Sequence, residues 1–194
     1  MGARKTRAIT IAGGRWRGRT LTYPDAVVLR PTMQRTRLSL FSSLGEVVEG
    51  AVFADLYAGA GAVGMEALSR GARHVHFVEW NREALAALAQ NLAACAVDRG
   101  RYSIHAAGVP AVLDARPCPL GDTRVAFADP PYDADVGGEL LSRLHVAEFD
   151  GLETLVVEHR TKVALTPPSG LQVGRERRFG DTTLTYFVPS GYAH

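Results

Sequence analysis

The chain is 194 residues long, 46% hydrophobic and 22% charged, with a formal net charge of +2. That length predicts one domain able to build a core without disulfide or metal staples, and the composition excludes an intrinsically disordered chain. No apolar run approaches the roughly 20 residues of a bilayer-spanning helix, and no apolar signal core follows the basic start, so a cytoplasmic protein with no membrane attachment is expected.

Residues 1–40 carry nine Lys/Arg (Arg4, Lys5, Arg7, Arg15, Arg17, Arg19, Arg30, Arg35 and Arg37) against one acid, Asp25, for a net +8. The remainder carries 13 basic and 19 acidic residues, a net −6. A basic segment on an acidic body points to a polyanionic partner, nucleic acid first. Arg outnumbers Lys 20 to 2 in this chain, so a solvated charged face is the plainer alternative.

In chain order, residues 7–23 predict a β-hairpin: Ala8-Ile9-Thr10-Ile11 alternates, Gly13-Gly14 turns, and Thr20-Leu21-Thr22-Tyr23 returns. Its connection sets Arg15, Arg17 and Arg19 around Trp16, which reads as exposed. A helix is expected over 32–49, after Pro31. From residue 51 strand and helix signals alternate. Apolar runs at 51–57, 74–78, 102–105, 124–128 and 154–158 read as strands, and 63–70, 82–94 and 137–144 read as helices. A closing hairpin is expected over 171–188 around Gly180-Asp181, and 106–121 is the least readable stretch. The pattern predicts an α/β fold: a doubly wound, mostly parallel seven-stranded Rossmann-like sheet (51–194) whose last strand is antiparallel, preceded by a small hairpin-helix extension (1–50).

Two loops carry chemistry. Residues 55–64, DLYAGAGAVG, place a G-x-G-x-x-G between a strand and a helix, and Glu79 ends the next strand 20 residues after Gly59. Alone this spacing fits a dinucleotide site, with the carboxylate on a ribose diol. Asp55 before the glycines would repel a pyrophosphate and suits a ligand with an amino group, which S-adenosylmethionine has. The alternative for Asp55 is a carboxylate that caps nearby loop amides. The second loop, Asp129-Pro130-Pro131-Tyr132, ends the fourth strand of the domain. Its prolines lack N–H donors, so carbonyls and the Asp129 carboxylate are left to accept from an exocyclic amine, and Tyr132 offers a face to a stacked base. A rigid turn is the plainer alternative.

Together these loops resemble the cofactor and catalytic motifs of amino-methylating nucleic-acid methyltransferases. More narrowly, residues 11–19 (IAGGRWRGR), Arg30-Pro31-Thr32, residues 55–71 (DLYAGAGAVGMEALSRG), Phe77-Val78-Glu79, the Asp129–Tyr132 loop and Phe179-Gly180-Asp181-Thr182 are similar to the bacterial 16S rRNA guanine-N2 methyltransferase family (RsmD-like). The resemblance covers nearly the whole chain. It implies transfer of a methyl group from S-adenosylmethionine to a guanine exocyclic amine in 16S rRNA, free or in a small-subunit particle, by a monomer.

By position, the resemblance puts Asp55, Tyr57, Gly59 and Gly61 at the methionine end of the cofactor, Glu79 on the ribose, and Trp80 and Ala107 near the adenine. It makes Asp129, Pro130 and Tyr132 catalytic, with Asp129 also facing the cofactor. Arg15, Trp16, Arg17, Arg19, Arg30, Thr32 and Arg37 become candidate RNA contacts. The chain departs from the family at Gln34, where an acid is frequent, and at His105-Ala106-Ala107-Gly108, which lacks an acidic or amide side chain for the adenine amine. Three rivals stay open. An adenine-N6 methyltransferase shares the Asp-Pro-Pro-Tyr loop, a nicotinamide dehydrogenase shares the glycines and Glu79, and an RNA-binding module would need no catalysis. Cys95 and Cys118 fit neither a disulfide framework nor a zinc motif, the six histidines are scattered, and no metal is expected. Arg175, Arg177 and Arg178 read equally as RNA contacts or as charges guarding an edge strand.

Overall fold

A computed structural model describes residues 7–23, 31–131 and 136–191. Strands β1 (Arg7–Thr10) and β2 (Thr20–Tyr23) form an antiparallel pair, followed by helix α1 (Pro31–Leu44). Then come β3 (Val52–Leu56), α2 (Ala62–Ser69), β4 (His74–Val78), α3 (Arg82–Ala94), β5 (Tyr102–His105), α4 (Val109–Leu113), β6 (Val125–Ala128), α5 (Val136–Arg143), β7 (Thr154–Arg160), β8 (Leu171–Phe179) and β9 (Thr182–Pro189). The main sheet has seven strands in the order β5-β4-β3-β6-β7-β9-β8. Strands β3 to β7 pair in parallel, and β9 runs antiparallel to both of its neighbours. The chain builds outward from β3 to β5, returns to place β6 on the other side of β3, and so opens a crevice at the β3/β6 strand ends, where ligands of such sheets bind.

The apolar runs become buried strands because both faces of the sheet are covered. Phe53, Val75, Phe77, Val125, Phe127 and Val156 face one core with α2, α3 and the hairpin. Ala54, Leu56, Val78, Ala126, Ala128, Leu155 and Val157 face the other, with α4 and α5. The helix expected over 32–49 ends at Leu44, because Gly45 takes φ 57 and the chain continues as a 3-10 turn over Gly45–Val48. The stretch over 106–121 holds the five-residue α4, with Pro110 in its first turn, where a missing N–H costs nothing. No described helix is long and apolar enough to cross a membrane.

The N-terminal hairpin shares the first core: Ile9, Ile11, Trp16, Leu21 and Tyr23 pack with Phe53 and Leu88. Three polar side chains staple it down. Asn91 of α3 accepts the Thr22 N–H at 2.9 Å and donates to the carbonyls of Thr22 at 3.0 Å and Ala60 at 2.9 Å. Ser69 at the end of α2 accepts the Trp16 N–H at 2.9 Å and donates to the Gly13 carbonyl at 2.6 Å. Glu66, buried in α2, accepts the Ala12 N–H at 2.8 Å and pairs with Arg70 at 2.8 Å and Arg37 at 3.6 Å.

Two expected RNA contacts are thereby corrected. Trp16 is not an exposed stacking platform: it is 6% exposed, its indole filling the core under the hairpin turn. Arg37 is not a phosphate contact either. It is 4% exposed, donates to the Thr10 carbonyl at 2.6 Å and neutralises Glu66, so it ties α1 to the hairpin and to α2. Arg15, Arg17 and Arg19 do face solvent, Arg19 while donating to the Ala94 carbonyl at 2.8 Å. Arg30 and the side chain of Thr32 lie outside the described residues.

Candidate active site

The strand registers put the functional loops in one row. His105 pairs with Val78, Val78 with Leu56, Leu56 with Ala128, and Ala128 with Val157. The next residues in register are Ala106, Glu79, Tyr57, Asp129 and Glu158; the first four leave the sheet there, whereas Glu158 stays within β7 and pairs with Leu184 of β9. Four of the five stand in or beside the loops expected from sequence; Glu158 was read only as the last residue of a strand.

The glycine turn after β3 is held from below and from the side. Asp55 is 2% exposed and its carboxylate accepts the Gly64 N–H at 2.7 Å. Burial pushes this carboxyl up to about 8, the Gly64 amide opposes the rise, and Glu79 adds to it. Asp55 thus caps the start of α2 from inside the fold. Glu79 holds the turn from the next strand: one oxygen accepts the Gly59 N–H at 2.8 Å, and the other accepts the amides of Trp80 at 2.8 Å and Asn81 at 2.7 Å.

The two glycines singled out do different work. Gly61 (φ 85) lies against Leu88, and any β-carbon there would collide with that side chain, so helix packing reserves the position for glycine. Gly59 (φ 56) is the open one: among the described residues, apart from its own chain neighbours, no atom lies within 4 Å of where a β-carbon would stand. Tyr57 adopts φ 63, its hydroxyl is buried with no partner among the described residues, and burial raises its pKa. Trp80 is 69% exposed beside Glu79, leaving a large apolar face at the rim of the crevice. Ala107 is half-buried in the loop after β5, its N–H bonded to the His105 carbonyl at 2.9 Å.

On the other side of β3, Asp129 is half-buried and Pro130 buried at the end of β6. Tyr132 lies outside the described residues. Asp129 and Glu158 line one cavity with Thr36, Arg37, Val63 and Phe127, between α1 and the glycine turn. Glu66, Ser69 and Asn91 escaped sequence reasoning altogether, because the hairpin groups they hold lie 53 to 69 residues away. His74 and His76 share one face of β4; His74 bonds Ser103 at 3.0 Å, and His76 bonds His105 at 3.1 Å and Asp122 at 2.9 Å. Among the described residues no group of three or more His, Cys, Asp or Glu side chains is arranged to hold a metal ion.

A seven-stranded sheet with one reversed strand, a glycine turn after its first strand, an acid ending the second and Asp-Pro-Pro ending the fourth defines the class: an S-adenosylmethionine-dependent methyltransferase. The sequence profile of a family described as conserved hypothetical protein 95 matches residues 9–188. The chain belongs to this family, that of the ribosomal RNA small subunit methyltransferase D proteins. It is 34% identical over 181 residues to ribosomal RNA small subunit methyltransferase D of Escherichia coli, covering 92% of this chain and 89% of the relative. The namesake from Haemophilus influenzae is 31% identical over 138 residues, 70% of each chain. A solved methyltransferase structure from Escherichia coli superposes with a TM-score of 0.80 at 29% identity, covering 94% of this chain and 98% of its own.

Proposed function

We propose that this chain transfers a methyl group from S-adenosylmethionine to the exocyclic N2 amine of a guanine in small-subunit rRNA. The observation that carries the chemistry is the Leu56–Ala128 register. It sets the glycine turn and the Asp129 carboxylate on neighbouring strands, so the cofactor side and the amine acceptor face one crevice. The family relationship supports the RNA: the relatives named above act on small-subunit rRNA by name.

The residues fit the cofactor. Gly59 leaves open space at the turn, Glu79 brings a carboxylate to the end of β4 where a ribose diol can donate to it, and the exposed Trp80 gives an adenine an apolar surface. Asp55 supports the turn through Gly64 rather than meeting the ligand. When bound, S-adenosylmethionine supplies an electrophilic methyl on a sulfonium sulfur, which departs as a neutral thioether.

The rest falls to the chain. Guanine N2 is a weak nucleophile because its lone pair is delocalised into the ring. Asp129 accepts one amine N–H and favours a pyramidal nitrogen whose lone pair points at the methyl, and it stands where the proton shed after transfer can be received. Pro130 has no N–H to compete for that carboxylate. Fixing this line of attack is catalysis by positioning, and no covalent enzyme intermediate is required. The base must leave its stack to enter, at a cost of about a few kcal/mol.

The test is nucleoside mass spectrometry of small subunits from a strain lacking the gene, treated with purified protein and S-adenosylmethionine. N2-methylguanosine is the expected product. N6-methyladenosine instead would move the activity to the adenine amine, and no methylated nucleoside would overturn the function.

A further inference from the structure

The register row at the level of Asp129 runs on to the edge of the sheet. Glu158 of β7 pairs with Leu184 of β9, and Leu184 with Arg177 of the edge strand β8. Arg177 thus stands level with Asp129, three strand spacings or about 14 Å away. Strand β8 runs in the direction of β7, so its last residues reach the end of the sheet that carries the glycine turn. Thr161, just after β7, bonds the carbonyls of Asp181 at 2.9 Å and Gly180 at 3.0 Å in the β8/β9 turn, which brings Lys162 to the same corner.

Charge is sorted along the chain and along this edge. Residues 41–158 hold 8 Lys/Arg against 17 acids, a net −9. Residues 159–194 hold Arg160, Lys162, Arg175, Arg177 and Arg178 against Glu176 and Asp181, a net +3. The first half of β8, Leu171 to Gly174, has no charge, and Val173 there is 45% exposed. Charges that only keep a bare edge from pairing are needed most in that half, yet the cations gather in the other. The three arginines of β8 also divide. Arg175 lies 4.5 Å over the Tyr186 ring and donates to the Ser43 carbonyl, so it packs β8 against α1. Arg178, its side chain 69% exposed, makes a surface pair with Glu176 at 3.3 Å, of a kind that adds little stability. Arg177 and Lys162 are exposed and enter no ion pair among the described residues.

We propose that Arg177, Arg178 and Lys162 form a phosphate-binding edge that carries the rRNA strand next to the target guanine; the proposal rests on the small-subunit rRNA reading above. A base drawn out of its stack into the crevice brings its own backbone to the crevice mouth, and the strand must leave across the molecule. The acidic body repels it, whereas this corner attracts it. Arg177 and Arg178 follow one another on a strand, so they reach round the edge from its two faces. Guanidinium and ammonium groups hold phosphates without regard to sequence, so this edge sets where the strand lies and the crevice chooses the base.

The test uses small subunits from the strain lacking the gene, with methylation followed between about 0.05 and about 0.2 M salt. In the Arg177→Gln/Arg178→Gln protein, kcat/KM should fall about tenfold or more at about 0.1 M salt. Its slope of log kcat/KM against log salt should flatten by about 0.7–0.9 for each charge removed, and adding Lys162→Gln should flatten it by one further step. The kcat at saturating subunits and the affinity for S-adenosylmethionine should keep their wild-type values, because these residues touch neither the methyl nor the cofactor. The control is Arg73→Gln/Arg124→Gln, which removes the same charge just before β4 and β6, at the opposite end of the sheet, and should leave the slope unchanged. Equal flattening in both proteins would make net charge rather than contact the cause, and overturns the proposal. An unchanged slope in Arg177→Gln/Arg178→Gln overturns it too, and self-association of that variant would then make the arginines guards of the edge. Absence of methylated rRNA with wild-type protein is a separate result, and it overturns the underlying function instead.

Discussion

Glu79 and Gly59 are joined across the β3/β4 strand ends: the Gly59 N–H donates to Glu79 Oε2 at 2.8 Å. The other oxygen of the same carboxylate receives the amides of Trp80 and Asn81. Both oxygens are therefore committed as acceptors. A glutamine must turn its NH2 group against at least one backbone N–H.

Glu79→Gln should accordingly lower both stability and cofactor affinity. Loss of a carboxylate acceptor is worth about 1–3 kcal/mol, so thermal unfolding should shift down and S-adenosylmethionine should bind about tenfold or more weakly in calorimetry. Unchanged affinity would remove Glu79 from the cofactor site and leave it a purely structural tie.

Asp129→Ala should separate chemistry from binding. Its carboxylate is assigned to the substrate amine, an interaction that strengthens as the transition state forms. Single-turnover methyl transfer should fall about a hundredfold or more, the order seen when one preorganised polar partner is removed, with cofactor affinity close to wild type. A wild-type rate in the variant would remove Asp129 from catalysis.

Asp55 gives the fold a pH dependence with a definite sign. Its carboxyl titrates near 8 in the fold against 3.8 ordinarily, so the folded chain keeps a proton that the unfolded chain has lost. Its contribution to stability therefore falls as pH rises from about 4 to about 8, and stays low above that. Asp55→Asn keeps an oxygen for the Gly64 N–H and cannot ionise. Relative to wild type it should gain thermal stability steadily between about pH 4 and about pH 8. A difference in melting temperature that does not change with pH would mean that Asp55 is ionised inside the fold.

Trp16→Ala removes a core side chain, and unfolding by denaturant should show a loss of about 3–5 kcal/mol. Trp16→Phe should cost less. A base-stacking tryptophan would behave in the opposite way, with stability kept and RNA affinity lost. Replacing the exposed Arg15 and Arg17 with Gln tests the charged turn itself. If the turn lies on the RNA, the slope of log affinity against log salt should flatten by about 0.7–0.9 for each charge removed. An unchanged slope would leave these arginines as solvated surface.

The parts legible in the sequence are those whose signal is local. Glu79 and Asp129 each end an apolar run, and a carboxylate at the end of a buried parallel strand is conspicuous without any knowledge of neighbours. Trp16 reads as exposed because Arg15, Arg17 and Arg19 surround it, whereas the core that buries its indole is built largely from residues far along the chain. Arg37 reads as part of a basic arm because its counter-charge, Glu66, sits in a helix of otherwise small and apolar residues. The closeness of Gly61 to Leu88 is likewise not displayed by local sequence. A glycine fingerprint does not say which glycine meets a ligand and which makes room for a leucine.

The stapling of the hairpin also bears on how the chain is made. Its two strands are translated before Glu66, Ser69 and Asn91, which hold them from α2 and α3. A two-stranded hairpin alone is marginal in water. Ile9, Ile11, Trp16 and Leu21 thus lack part of their native packing until α3 has cleared the exit tunnel, and a nascent chain stalled before that point carries an apolar hairpin without its staples.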